Sequence, residues 1–209
     1  MLDNSESIEF WTNIYSSHVS RAEKFVTQIR KASKDPVVQQ VISRDDASVA
    51  MYYAVSDGVF DTNSSDIFIK PSDFIGGGVI TYGYSDTKEG ILLEDRPVSY
   101  ITGKGTPTNT MSTTFELNNI SKSSSYKLII SGADDFLDQK CPIKITLNGQ
   151  TIFEGSNPFS NKQWNIKSAE ISPDILKNSN TLTITNTSQK GNIDAPPFFM
   201  LNYVILHKN

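Results

Sequence analysis

The amino-acid sequence predicts a mainly β protein, an antiparallel β-sandwich preceded by a small N-terminal α-helical segment. Three observations lead there. Apolar residues recur at helical spacing only before Gly58. After it, short runs alternate apolar and polar residues with a period of two. Asn148-Gly149 separates two of those runs, and this dipeptide favours a two-residue hairpin because both turn positions need positive φ.

The helical segment is expected over residues 1–58. Ile8, Trp11, Tyr15, His18, Ala22, Phe25 and Ile29 step by three and four, and Asp3 with Glu6 has the form of a capping box. A second helix starts at Asp35-Pro36, with Pro at the first helical position. A third, capped by Asp45 or Asp46, runs through Tyr52-Tyr53-Ala54-Val55 and stops at Gly58. The stripe has to pack on its own helices, the sandwich, a neighbouring domain or a partner protein.

Residues 59–209 are expected to form the β domain, entered through the polar stretch Asp61–Asp66. Strands are predicted at Ile67–Ile69, Val79–Tyr84, Ile91–Leu93, Val98–Ile101, Met111–Leu117 and Tyr126–Ser131. Further strands follow at Ile143–Leu147, Thr151–Phe153, Trp164–Ser168, Thr181–Asn186 and Phe198–His207. In that register Leu147, Ile184 and Met200 point into the core. Many short strands without intervening helices mean a sandwich or a barrel.

Composition narrows the function. A formal charge of −4 lacks the basic face that phosphate binding needs, so nucleic acid is excluded as a partner. The longest apolar run, 198–206, is too short to span a bilayer and Asn202 interrupts it. No basic n-region and apolar h-region open this chain, so no signal peptide is expected in it. One cysteine, Cys141, rules out an intramolecular disulfide and reads as a small buried residue. The two histidines, His18 and His207, stand on a helix stripe and near the C-terminus, where neither serves a nucleophilic triad.

A more specific pattern lies in residues 145–206. Ile145-Thr-Leu147-Asn148-Gly149 leads through Thr151-Ile152-Phe153 to Trp164, then to Ser172-Pro173 with Ile175-Leu176-Lys177. Asn180-Thr-Leu-Thr-Ile184 follows, and an aromatic-rich strand closes the series. This order resembles the galactose-binding-like jelly rolls that serve as sugar-binding or accessory domains of glycoside hydrolases and polysaccharide lyases. Asn178-Ser179 stands where such turns commonly hold glycine. The resemblance covers about residues 86–209 and implies an antiparallel jelly-roll β-sandwich. It also implies a non-catalytic carbohydrate-binding module of a secreted or cell-surface protein, with a glycan or polysaccharide as partner. The alternatives are a protein-interaction or structural jelly roll docking through its helical segment, and a glycoside hydrolase or esterase.

The candidate site falls on two polar-aromatic loops, Gly132–Gln139 and Gly155–Gln163. Two strands separate them, which puts both at the same end of the sandwich. A pyranose stacks its C–H face on an aromatic ring while its hydroxyls bond to carboxylates and amides. Phe136 and Phe159 are therefore the expected platform, Asp134, Asp135, Asn157 and Asn161 the hydroxyl contacts, and Trp164 either core or a further platform. Asp134, Asp135 and Asp138 could also hold calcium, which takes several loop oxygens. A plain solvated turn, a partner contact and paired-acid catalysis stay open for the same carboxylates. Tyr82, Tyr84 and Tyr100 are undecided between core and rim, and of Phe198 and Phe199 one is core while the other reaches a rim.

Overall fold

The structure, a computed structural model, describes residues 49–61, 64–86, 91–134, 140–161, 163–188 and 198–208. All of them belong to one unit, Asp46–Asn209. The first two expected helices lie outside the described residues. The end of the third is present as α1, residues 49–56. It closes as its sequence requires: Gly58 adopts φ +72°, its amide donates to the Val55 carbonyl, and the Val59 amide donates to the Ala54 carbonyl. These two bonds satisfy two of the last helical carbonyls.

Ten strands follow: β1 (Ile67–Ile69), β2 (Gly78–Asp86), β3 (Ile91–Ile101), β4 (Thr110–Glu116), β5 (Tyr126–Asp134), β6 (Pro142–Leu147), β7 (Gln150–Ser156), β8 (Asn165–Ile171), β9 (Ser179–Asn186) and β10 (Phe199–Lys208). They form two antiparallel sheets. The six-stranded sheet has the order β2-β3-β10-β5-β8, with β1 also paired to β10; the other has the order β4-β9-β6-β7. After β3 the chain crosses from sheet to sheet at every connection except the β6–β7 hairpin. The result is a sandwich, one of the two architectures the strand pattern allows, with the jelly-roll path that the resemblance implies.

Alternation decides which side chains fill the sandwich. β4, β6 and β9 show one buried residue in two, and Met111, Ile143, Leu147, Leu182 and Ile184 enter from the four-stranded sheet. Leu128, Ile130, Phe199, Leu201, Val204 and Leu206 meet them from the six-stranded sheet. Leu147, Ile184 and Met200 are fully buried as expected, although Met200 lies on the outer face of its sheet. The Asn148-Gly149 turn has φ +52° and +81° and joins β6 to β7. Asn148 also donates its side-chain amide to Ile175 O at 2.7 Å and to Asn180 Oδ1 at 2.9 Å. Asn180 is itself buried and accepts the Lys177 amide at 2.9 Å, so the Leu-Asn-Gly turn and the Lys177–Asn180 turn are stitched together.

Several strands run past their expected bounds, β5 to Asp134 and β7 to Ser156 among them, and one expected break is absent. Ile91–Leu93 and Val98–Ile101 belong to one continuous strand, because Arg96 and Pro97 stay paired to Tyr82 and Thr81 of β2 while Glu94 and Asp95 bulge at the register shift. A bulge between Tyr82 and Tyr84 makes this possible: a Cβ on Gly83 would lie 1.9 Å from Asp95 Oδ1, so only glycine allows the approach. Pro97 lacks an N–H, but the β3–β10 ladder covers only Ser99–Ile101, and Asn202 Nδ2 donates to Pro97 O at 2.8 Å where β10 bulges.

Candidate functional site

The two predicted loops do share one end, as the strand count requires. β5 ends at Asp134, whose amide donates to Ser160 O at 3.1 Å, and Asn157 Nδ2 donates to Asp134 Oδ1 at 2.7 Å. The residues converge inward, however. Asp134 faces the inside of the sandwich opposite Phe199 and is fully buried. Asn157, 1% exposed, accepts the Phe159 amide on its Oδ1 at 3.0 Å, an Asx-type turn that folds the loop back. Phe159, also 1% exposed, then packs on Phe199 with ring centroids 5.1 Å apart.

Three expectations are thereby corrected. Phe159 is a core residue and not a stacking platform, while Asp134 and Asn157 are internal braces and not hydroxyl contacts. The reason is local: the loop is short, and the Asn157 turn directs the ring at 159 into the gap between the sheets. Asn161 is half-buried in the same loop. Phe136, Asp135 and Asp138 lie outside the described residues, so of the calcium triad only the buried Asp134 is placed.

Trp164 belongs to a different surface. It lies on the outer face of the six-stranded sheet beside Val98, Ala133 and Met200, together with Tyr82, Tyr100 and Phe198. All four aromatic residues are half-buried. Phe198 stands between the tyrosines, with centroids 6.3 Å from Tyr82 and 6.4 Å from Tyr100, both edge-on. The floor explains how large rings fit on a sheet. Met200 pairs with both Ala133 and Tyr100, Tyr100 pairs with Gly78, and a Cβ on Gly78 would sit 2.2 Å from two Tyr100 ring carbons. Glycine at 78 therefore lets the Tyr100 ring lie across β2.

Polar groups border the rings. The Trp164 indole N–H donates to Glu94 O at 2.8 Å, and the Glu94 side chain is 60% exposed. Arg96 lies with its Cζ 5.6 Å from the Trp164 ring centre and 4.2 Å from that of Tyr53 on α1. It also forks onto Asp57 at 2.8 and 3.1 Å. Asp57 further accepts the Tyr203 hydroxyl at 2.8 Å. Burial first, and then the Asp57 carboxylate, push the Tyr203 hydroxyl well above the usual phenol range.

The sequence left Tyr82 and Tyr100 undecided, and its split of the Phe198-Phe199 pair into rim and core holds, with Phe199 fully buried. The signal that could have placed the tyrosines is period two: Arg96, Val98 and Tyr100 share one side of β3, opposite Tyr82, Ile80 and Gly78 of β2.

No family model matches the chain, and no curated protein sequence matches it. Among solved structures, it is similar to the CBM36-1 domain of a multidomain xylanase from the hindgut metagenome of Trinervitermes trinervoides. That match has 11% identity and a TM-score of 0.41, and covers 68% of this chain and 97% of that one. A family 35 carbohydrate-binding module from Clostridium thermocellum matches at 18% identity and TM-score 0.40, over 68% of this chain and 98% of that one. An exo-β-1,3-galactanase from Phanerochaete chrysosporium matches at 13% identity and TM-score 0.41, over 69% of this chain and 29% of that one.

Proposed function

We propose that this chain is a non-catalytic carbohydrate-binding module of a secreted or cell-surface polysaccharide-processing protein. Its glycan lies along the outer face of the six-stranded sheet. The observation that carries this reading is the cluster of Tyr82, Tyr100, Phe198 and Trp164, half-buried on a face whose inner side already fills the core. Such rings offer flat apolar surface to the C–H faces of pyranoses at low entropic cost, since each has only two rotatable side-chain bonds. The exposed Glu94 carboxylate, 3.7 Å from Arg96 on the residue whose backbone carbonyl accepts the Trp164 indole N–H, supplies an acceptor for sugar hydroxyls. The motif order of residues 145–206 resembles accessory domains of polysaccharide-processing enzymes, which supports the wider setting.

The test is a glycan array probed with the full chain, followed by calorimetry on the best polysaccharide. The expected result is saturable binding that Tyr100→Ala and Phe198→Ala each weaken about tenfold, or about 1.4 kcal/mol. A folded sample that binds nothing across a wide array overturns the reading and moves the role to protein docking.

A further inference from the structure

The end of the sandwich opposite Asp134 carries a pocket of about 220 Å³. It opens where β1 and β5 begin and β4 and β10 end. β5 runs from Tyr126 at this pocket to Asp134, so at the usual strand rise the two ends are about 27 Å apart. The pocket and the loop end near the aromatic face are therefore separate.

Its floor is apolar: Ile67, Leu117, Ile120 and Leu206 line it together with the ring of Tyr126. Its rim is polar and of mixed sign, with the side chains of Glu116, Asn118, Asn119 and Lys208. Glu116, Asn118 and Lys208 are exposed, and no side-chain partner holds any of the three among the described residues. The wall is already built. Asn119 turns the chain at φ +62°, the Leu117 amide donates to Asn178 O at 2.7 Å, and the Ser121 amide donates to the Tyr126 hydroxyl at 3.0 Å. Lys122 pairs with Asp174 across the same turn region.

We infer that this pocket is a second binding site, for one neutral sugar ring. Three features choose the ligand. A volume below the roughly 300 Å³ at which drug-sized pockets begin fits a single ring rather than a chain of them. The carboxylate and the ammonium balance, so the rim has no net attraction for an anion or a cation. An apolar floor under carboxylate, amide and ammonium groups matches a molecule with one C–H face and a circle of hydroxyls, each both donor and acceptor. The site is independent of the glycan proposed for the aromatic face, and a chain holding both could touch two sugars at once.

Free glucose, galactose and mannose, titrated into the full chain by calorimetry and by amide chemical-shift mapping, test it. One of them is expected to bind saturably with Kd about 1 mM, shifting amides at 116–121 and 206–208. Two pocket variants, Glu116→Ala with Lys208→Ala together and Asn118→Trp, which plugs the opening, are each expected to weaken this at least tenfold. Tyr100→Ala on the distant face is expected to leave it unchanged. Absence of any saturable hexose response overturns the inference, as does a response that survives both pocket variants or disappears with Tyr100→Ala. In the last case the aromatic face stands and the second site falls. A hexose response with a blank polysaccharide array has the opposite meaning.

Discussion

The outer face of the six-stranded sheet is made by neighbouring strands along its whole length, yet its two halves end differently. In one half Ile129, Tyr203 and Ile205 are covered by Tyr53 and Ala54 of α1, with Val59, Phe60 and Phe68 closing the edge. In the other half Val98, Ala133 and Met200 are buried, among the described residues, under their own aromatic neighbours, and those neighbours stay half-exposed. Arg96 stands at the boundary, its guanidinium close to the Tyr53 ring of one half and to the Trp164 ring of the other. Strand chemistry is similar in both halves. Among the described residues the difference is α1, which covers one half and is anchored where it stops by Asp57.

The largest way to break this contrast is Arg96→Ala. It leaves Asp57, a fifth exposed, without its ion partner and removes the cation beside the Tyr53 and Trp164 rings. Losing one partner of a largely buried pair costs about 3 kcal/mol, read as a lower urea midpoint with α1 amides exchanging faster. Glu94, mostly exposed and 3.7 Å from Arg96, contributes little to that total. A midpoint equal to that of the unaltered chain would show that α1 is held by apolar contact alone.

Next in size is Tyr203→Phe, which keeps the ring and deletes the hydroxyl bonded to Asp57. It should cost about 1 kcal/mol at neutral pH. The same residue sets an alkaline limit. Folding holds its phenol neutral well above its usual range. An unfolded tyrosine ionises near pH 10, so this stabilisation is complete below about pH 10 and is lost as pH rises beyond it. Alkaline melting curves of Tyr203→Phe should fall less steeply than those of the parent. Parallel curves would remove Tyr203 from the alkaline transition.

On the aromatic half the effects on stability are smaller and the effects on binding larger. Phe198→Ala removes two edge-on ring contacts and should cost about 1 kcal/mol, together with the tenfold loss of glycan affinity given above. A stability loss as large as that of Arg96→Ala would mark Phe198 as core and end the two-half distinction. Smallest in stability is Gly78→Ala. Its new methyl meets the far end of the Tyr100 side chain, which can swing aside, so melting should change little while glycan binding falls with the displaced ring.

Much of this was legible beforehand, for identifiable reasons. Asn148-Gly149 had one good conformation available, and Gly58 was the only residue near the end of α1 able to stop it by a positive φ at no cost. Counting β6 and β7 sufficed to place two loops at one end. The failures have a common cause. The fate of Phe159 depends on a side chain two residues back bonding to its amide, and the continuity of β3 depends on a glycine in the neighbouring strand. Both are contacts between residues whose types are ordinary, so no pattern in the chain announces them. The aromatic face was hidden differently: its rings come from four strand regions, and only the register brings them together.

The place of β10 has a consequence for the order of events in folding. It is the last strand described, yet it lies mid-sheet, paired to β5 on one side and to β3 and then β1 on the other, with Leu206 opposite Ile67. Pairings this distant along the chain make the route to the native state slow. The four-stranded sheet β4-β9-β6-β7 needs nothing beyond Asn186 and can pair before β10 docks. Until β10 arrives, the inner face of that sheet has no complete opposite wall. That interval, rather than any weakness of the finished sandwich, is when the chain is most exposed to aggregation.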